Sequence, residues 1–204
     1  IHHALDAHEI HFWGKGENSA TIPLPIILYT DKGLVTFMSS EFHHTDDGSV
    51  IVTKNGMNFI KVHEKIYQLN EGEAAVQFDA EHKPSNASLV TMDFSLTKNV
   101  VTIFLIAFLL IFVMFRSAKK YKGEGPTAPS GIASWTEPVI LFVRDVARDN
   151  IEGDKYKKFT PYLLTVFFFI WFGNMLGLIP FIGGFNVTGN IAVTLVLALF
   201  VFII

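Results

Sequence analysis

The sequence predicts a membrane protein, mostly of transmembrane α-helices, with a small β-rich extramembrane domain at its N-terminus. Three observations predict it. Half of the 204 residues are hydrophobic and 20 are Phe, which tilts against a purely soluble chain. From Phe159 to Ile204 there is no Asp, Glu, Lys or Arg, whereas residues 1–95 hold 13 acids against 6 Lys. Residues 116–158 carry nine bases against six acids. The net charge of −3 is therefore an average over an acidic head, a basic loop and an uncharged membrane part. The chain has no Cys, so neither a disulfide nor a thiolate metal site is available to it.

The head is expected over residues 1–93. Its best local signal is Ser49-Val-Ile-Val-Thr-Lys-Asn55-Gly56-Met-Asn-Phe-Ile-Lys-Val62, which sets an Asn-Gly pair between two β-prone runs. A type I′ hairpin turn needs positive φ at both central positions, and Asn-Gly supplies it. Ile22 to Tyr29 and Leu34 to Met38 are further strand candidates. Pro23 and Pro25 push the first of these to a sheet edge or an extended arm, because proline cannot donate to a ladder.

The first span is expected over 94–115, where the chain is almost wholly apolar apart from Lys98, which can snorkel. About 20 helical residues at ~1.5 Å each cross a hydrocarbon core of roughly 30 Å. A basic linker, 116–131, follows with Arg116, Lys119, Lys120 and Lys122, and its Gly/Pro-rich part reads as a connector. Arg144, Arg148, Lys155, Lys157 and Lys158 continue the basic bias, so the loop is expected on the cytoplasmic side and the head outside. With an exported head and a first residue Ile1, an upstream signal peptide or longer leader is expected before this numbering.

Residues 132–151 read as an amphipathic helix. On a helical wheel Ile132, Trp135, Val139, Ile140, Phe142, Val143, Val146 and Ala147 share one side, opposite Glu137, Arg144, Asp145, Arg148 and Asp149, with Leu141 the misfit. The pattern suits a helix lying along the cytoplasmic interface; a helix packed on a protein partner would show the same face. Thr160-Pro161 is a helix start, which places the second span over 161–182. Pro180 weakens its last turn, and Gly183-Gly184 ends it. The apolar run 190–204 is too short to cross, so the sequence is expected to stop within a truncated third span.

Lipid penalises unpaired polar groups, so Asn174, Asn190 and Thr194 are expected to face other helices or a wet cavity. They can donate and accept hydrogen bonds without carrying charge. Gly173 and Gly177 form a small-xxx-small pair whose ordinary meaning is close helix packing. Asn190 has a second reading as a helix cap.

Asn174-Met-Leu-Gly-Leu-Ile-Pro180, then Asn186-Val-Thr-Gly-Asn190-Ile-Ala-Val-Thr194-Leu-Val-Leu-Ala-Leu199, resembles subunit a of the F-type ATP synthase membrane (Fo) sector. Glu137 with Phe142-Val-Arg-Asp145 and Asn150-Ile151 is similar to the interfacial helix of that family. The order and spacing of the three stretches match the family over about 132–204, and the head is similar to the extended outside domains of some bacterial members. The resemblance implies a multi-pass stator subunit of the bacterial inner membrane. Its partners would be a c-ring of rotor subunits, the peripheral-stalk subunit b and the lipid bilayer. The translocated ion would be a proton or sodium ion. Each c subunit would bear a membrane carboxylate, reached by two offset aqueous half-channels, with an essential Arg on a later helix of subunit a. A protonated carboxyl tolerates lipid, whereas an ionised one needs a countercharge. No Arg follows Arg148, so that residue is expected outside residues 1–204. By the same resemblance Asn174, Asn190 and Thr194 would line the outside-facing ion path; Gly173, Gly177 and Pro180 are expected to serve packing and the helix end. Where some members place an acid, this chain has Gly177, so any acidic relay is expected elsewhere.

All eight His lie at or before His82. His8-Glu9-Ile10-His11 falls one residue short of the zincin H-E-x-x-H spacing, and His2, His3, His43 and His44 could be assembled by folding, yet nothing fixes a ligand geometry. No metal, cofactor or nucleic-acid partner is expected. There is no G-x-x-x-x-G-K-[ST] loop, so ATP chemistry is expected in another subunit, and this chain has no catalytic residue of its own. The alternative is a membrane-anchored envelope protein whose β head binds an outer partner, but a plain anchor has no need of Asn174, Pro180 and Asn190.

Overall fold

The computed structural model describes residues 6–13, 20–121, 128–179 and 187–204. The chain forms two compact units, one built on Ile1–Val101 and the other on Thr102–Leu178 with Asn186–Ile204.

The first unit is antiparallel β structure. Strands β1 (Glu9–Trp13) and β2 (Ala20–Pro23) pair, as do β3 (Pro25–Thr30) and β4 (Gly33–Met38). Strands β5 (Val52–Lys54), β6 (Met57–Val62), β7 (Lys65–Leu69) and β8 (Ala87–Leu89) form a four-stranded sheet in chain order. The β5–β6 hairpin turns at Asn55 and Gly56, with φ of 51° and 72°, the positive values for which that pair was expected. The run Ile22–Tyr29 is two strands rather than one. Pro23 ends β2 and Pro25 opens β3, while Leu24 between them donates its N–H to Ser39 Oγ at 3.0 Å. Alternation then builds the core: Ile26 and Leu28 of β3, Val35 and Phe37 of β4, and Met57 and Phe59 of β6 pack together. Strand β6 is buried on both faces, since Ile60 and Val62 join Leu69 in a second cluster with Val76 and Ala87 packed beside them.

Helix α1 is Lys98–Lys120, displaced from the expected 94–115. Its start is delayed because the preceding residues pair with β3: Phe94 N–H donates to Ile27 O, Leu96 N–H to Pro25 O, and Ile27 N–H to Ser95 Oγ. Its end is extended because Arg116, Lys119 and Lys120 are good helix formers whose charge suits a helix C-terminus.

In the second unit, α1 buries Thr102, Ile106, Val113 and Ser117 along one stripe. Helix α2 is Ile132–Asn150, and α3 is Tyr156–Gly177, entered through a short 3₁₀ turn at Gly153–Lys155. The second helix expected over 161–182 thus begins earlier: Pro161 lies inside α3, and Thr160 is not its cap but donates from Oγ1 to Tyr156 O at 2.7 Å. Pro180, Gly183 and Gly184 lie outside the described residues. Helix α4 is Ile191–Ile203 and buries no residue within this chain. Helices α1 and α3 are long and apolar enough to cross a membrane; α4, with 13 residues, is shorter.

Helix α2 divides its apolar surface. Ala133, Thr136, Val143 and Ala147 are buried, whereas Trp135, Phe142 and Val146 are exposed. A buried hydrogen bond of 2.8 Å joins Thr136 to Ser117 of α1, and the Trp135 ring stacks on Trp171 of α3 at 4.6 Å. The wheel drawn from the sequence merges two functions, since α2 packs against its neighbours and still offers an apolar edge outward.

Candidate functional site

The membrane unit brings its polar groups to the C-terminal end of α3 and the start of α4. Asn174 sits one turn from the end of α3, where its main-chain carbonyl accepts from Leu178 N–H at 3.1 Å. Its side-chain Oδ1 accepts from Thr188 Oγ1 at 2.7 Å. Gly173 is buried beside it, at a position where a Cβ would stand 3.4 Å from Ile106 Cδ1 and 3.6 Å from Thr188 Cγ2, so a side chain larger than alanine would crowd this contact. Phe168, Phe172 and Val187 fill the surrounding apolar cluster with Ile106 and Val113. With Oδ1 occupied, the two amide N–H donors of Asn174 are what it can offer to water or a neighbouring subunit.

Asn190 and Thr194 are arranged differently. Asn190 caps α4, its Oδ1 accepting from Ala192 N–H at 2.9 Å. Thr194 Oγ1 donates back to Ile191 O at 3.1 Å and Asn190 O at 3.3 Å. The structure therefore brings Asn174 together with Thr188, while Asn190 and Thr194 serve the first turn of their own helix. Gly177 is exposed, so among the described residues only Gly173 of the glycine pair is packed. None of these groups titrates near neutral pH. They can order water and pass hydrogen bonds, but cannot act as an acid–base relay.

The head holds the charged constellation. His8, 3% exposed, lies between Glu64 and Asp93, with Nδ1 3.7 Å from Glu64 Oε2 and Nε2 3.5 Å from Asp93 Oδ2. These are ion-pair separations, and among the described residues neither ring nitrogen makes a hydrogen bond; the His8 main-chain N–H does, to Glu64 Oε2 at 3.2 Å. Buried Lys61 approaches the same oxygen to 3.7 Å. Burial pushes the imidazole pKa down, but Asp93 and Glu64 outweigh it and hold it up at about 9. Burial pushes Glu64 up, and His8 and Lys61 more than offset it, leaving that carboxyl below its ordinary range. Asp93 is likewise lowered against its burial, by His8 and Ser95.

The β6–β7 turn that delivers Glu64 is His63-Glu64, with φ of 50° and 60°, where an Asn-Gly pair would be relaxed. Each such residue costs of order 1–2 kcal/mol. The Glu64 N–H donates to Asp46 Oδ1 at 2.6 Å, which helps hold the turn.

The ATP synthase A chain family profile matches residues 100–204. The chain belongs to the ATP synthase A chain family. Residues 1–94 match a separate profile, described as a domain of unknown function (DUF8433). Among curated proteins, the chain is 46% identical over 129 residues to ATP synthase subunit a 2 of Chlorobium luteolum, covering 62% of this chain and 37% of that protein. It is 46% identical over 129 residues to ATP synthase subunit a 2 of Chlorobaculum tepidum, covering 62% and 36%. It is 42% identical over 114 residues to ATP synthase subunit a of Myxococcus xanthus, covering 55% and 37%. The matched region thus spans little more than a third of these relatives. No solved structure matches.

The family boundary falls just inside α1, so the A-chain part holds Asn174 and Thr188, and the head holds the His8 cluster. Two site features escaped sequence reasoning. Thr188 lies within the quoted family stretch, and its signal was a hydroxyl two residues before Asn190 in an otherwise apolar run. The second is the partnership of His8, which its sequence neighbours do not supply: Glu9 pairs with His44, at 2.8 Å, and β1 is a strand rather than a helix. Among the described residues, no three His, Asp or Glu side chains are grouped to hold a metal ion. His43 and His44 are exposed, and His2 and His3 lie outside the described residues.

Proposed function

We propose that this chain supplies part of the stator subunit a of a bacterial F-type ATP synthase. With a c-ring it would form the path by which a proton or sodium ion crosses the membrane, coupling that flow to rotary ATP synthesis. The peripheral-stalk subunit b is its other partner. The observation that carries the reading is the Asn174–Thr188 hydrogen bond, set at the end of a span-length helix within the family-matched region. An uncharged amide paired with a hydroxyl stabilises water in an apolar wall without trapping the ion. Asn190 and Thr194 mark the same rim, Gly173 and Gly177 provide for packing, and Pro180 stays assigned to the helix end. The Arg that faces the rotor carboxylate belongs to a part of subunit a other than residues 1–204.

Asn174→Ala in the whole complex removes the acceptor of Thr188 and the amide donors together. Proton pumping in inverted vesicles is expected to fall by about tenfold or more, in line with losing a polar contact at the ion path, while the assembled complex stays at wild-type abundance. Unchanged pumping with normal assembly removes Asn174 from the path. A plain anchor would show that indifference.

The orientation proposed is head outside the inner membrane and basic loop in the cytoplasm. A chain without Cys makes this easy to probe, because single cysteines can be placed at Glu71 and Asp154, whose side chains are 96% and 84% exposed. A membrane-impermeant maleimide added to spheroplasts is expected to label Glu71→Cys and spare Asp154→Cys. The opposite pattern reverses the topology.

A further inference from the structure

We infer that the basic end of α1 carries a binding site for a single anionic phospholipid. The inference rests on the reading of α1 as a membrane span. Two adjoining features carry it. The first is a pocket of about 510 Å³ where the C-terminal turn of α1 meets the start of α2, lined by Arg116, Lys119 and Lys120 together with Gly131 and Ile132. Among the described residues its lining has three cations and no carboxylate. Glu137, the acid on the early turns of α2, is engaged instead by the Tyr121 hydroxyl.

The second feature is a groove of about 600 Å³ along the outward stripe of α1, lined by Phe108, Ile111, Phe112 and Phe115. Phe108 and Phe112 stack with ring centroids 6.4 Å apart, and the Arg116 guanidinium lies 6.0 Å from the Phe112 centroid. Arg116 and Lys119 line both cavities, so the apolar groove adjoins the cationic pocket. One molecule with a hydrocarbon chain and a phosphate at its end matches that sequence of surfaces. A free phosphate would leave the groove unused, and a neutral lipid would bring no countercharge to the three cations. The first turn of α2 adds main-chain N–H groups, since its cap residue Gly131 has no side chain to occupy them. Basic pockets between spans at the cytoplasmic surface suit phosphate headgroups, and each cation near such a surface adds to the attraction.

The test uses the intact chain reconstituted in phosphatidylcholine vesicles containing trace spin-labelled phosphatidylglycerol or, in parallel, spin-labelled phosphatidylcholine. The protein-immobilised fraction is expected to favour phosphatidylglycerol by roughly tenfold. Arg116→Gln with Lys119→Gln and Lys120→Gln should abolish that preference. Lys155→Gln with Lys157→Gln and Lys158→Gln, which removes the same charge from another stretch, should keep it. Equal immobilisation of the two lipids by the wild-type chain overturns the proposal. So does an equal loss in both triple variants, because that marks diffuse surface charge. Displacement of the labelled lipid by millimolar inorganic phosphate also overturns it, in favour of a free-anion site. Flotation of the protein with the vesicles is scored separately: a chain that does not float defeats the membrane reading, whereas one that floats without lipid preference defeats this proposal alone.

Discussion

Replacing Glu64 by Gln is expected to destabilise the head by about 3–5 kcal/mol, because the substitution keeps the side chain's shape and removes the carboxylate shared by two buried cations. His8 and Lys61 both lie within 3.7 Å of Glu64 Oε2, and Asp93 alone cannot serve both from the far side of the imidazole. Hydrogen exchange of the β6 and β7 amides in the full chain reads the loss. The double variant His8→Ala, Glu64→Gln should cost less than the sum of its single variants, since each single change strands a partner. Additive costs would show that the two groups do not interact. The pH dependence follows from the signs. The folded pKa of His8, about 9, lies above its ordinary 6.5, so its contribution, about 3 kcal/mol, is fully present below pH 6.5 and is lost as pH rises through 9. Glu64 and Asp93 are lowered, so their contributions are present above the ordinary carboxylate pKa and lost as pH falls through the folded values. Protection of these strands should therefore be greatest between about pH 5 and 7. A flat profile from pH 5 to 10 would refute the assignment of His8 as a buried imidazolium.

What the sequence could and could not convey follows from the range of each signal. The Asn55-Gly56 hairpin and the amphipathic period of α2 are local patterns, and both are found where the pattern puts them. The uncharged stretch after Lys158 marks membrane-suited structure because solvation acts on composition directly. Helix ends were less legible, because competition from tertiary partners decides them: residues 94–96 are apolar enough for a span, yet β3 captures their main-chain groups. The His8 cluster was out of reach, since Glu64 and Asp93 are distant in sequence, and the turn that presents Glu64 uses His-Glu where turn chemistry favours Asn-Gly. Asn174, in contrast, was conspicuous through the cost of an amide in an apolar run, and what the structure adds is its partner, Thr188.

Gly173→Leu is expected to abolish normal accumulation of the subunit in the membrane, whereas Gly173→Ala should be nearly silent. The distances separate the two. A Cβ at this position meets Ile106 and Thr188 at 3.4 and 3.6 Å, which is ordinary van der Waals contact, so alanine fits where glycine stands. Leucine must send further carbons into a space that Ile106 Cδ1 and Thr188 Cγ2 already hold, and Ile106 is seated in the cluster of Phe168, Phe172 and Val187. Overpacking of this kind costs about 1–3 kcal/mol or more, and here it also drives Thr188 away from Asn174 Oδ1. Membrane abundance and proton pumping of the complex check it, with the expected order wild type, then Gly173→Ala close behind, then Gly173→Leu far below. Full pumping by Gly173→Leu would mean that α3 does not pack against Ile106 and Thr188 as described. Gly177→Leu supplies the contrast, because Gly177 is exposed where Gly173 is buried. If Gly177→Leu accumulates normally but pumping fails, the second glycine packs against a neighbouring subunit; if it behaves as wild type, close approach at this end of α3 rests on Gly173 alone.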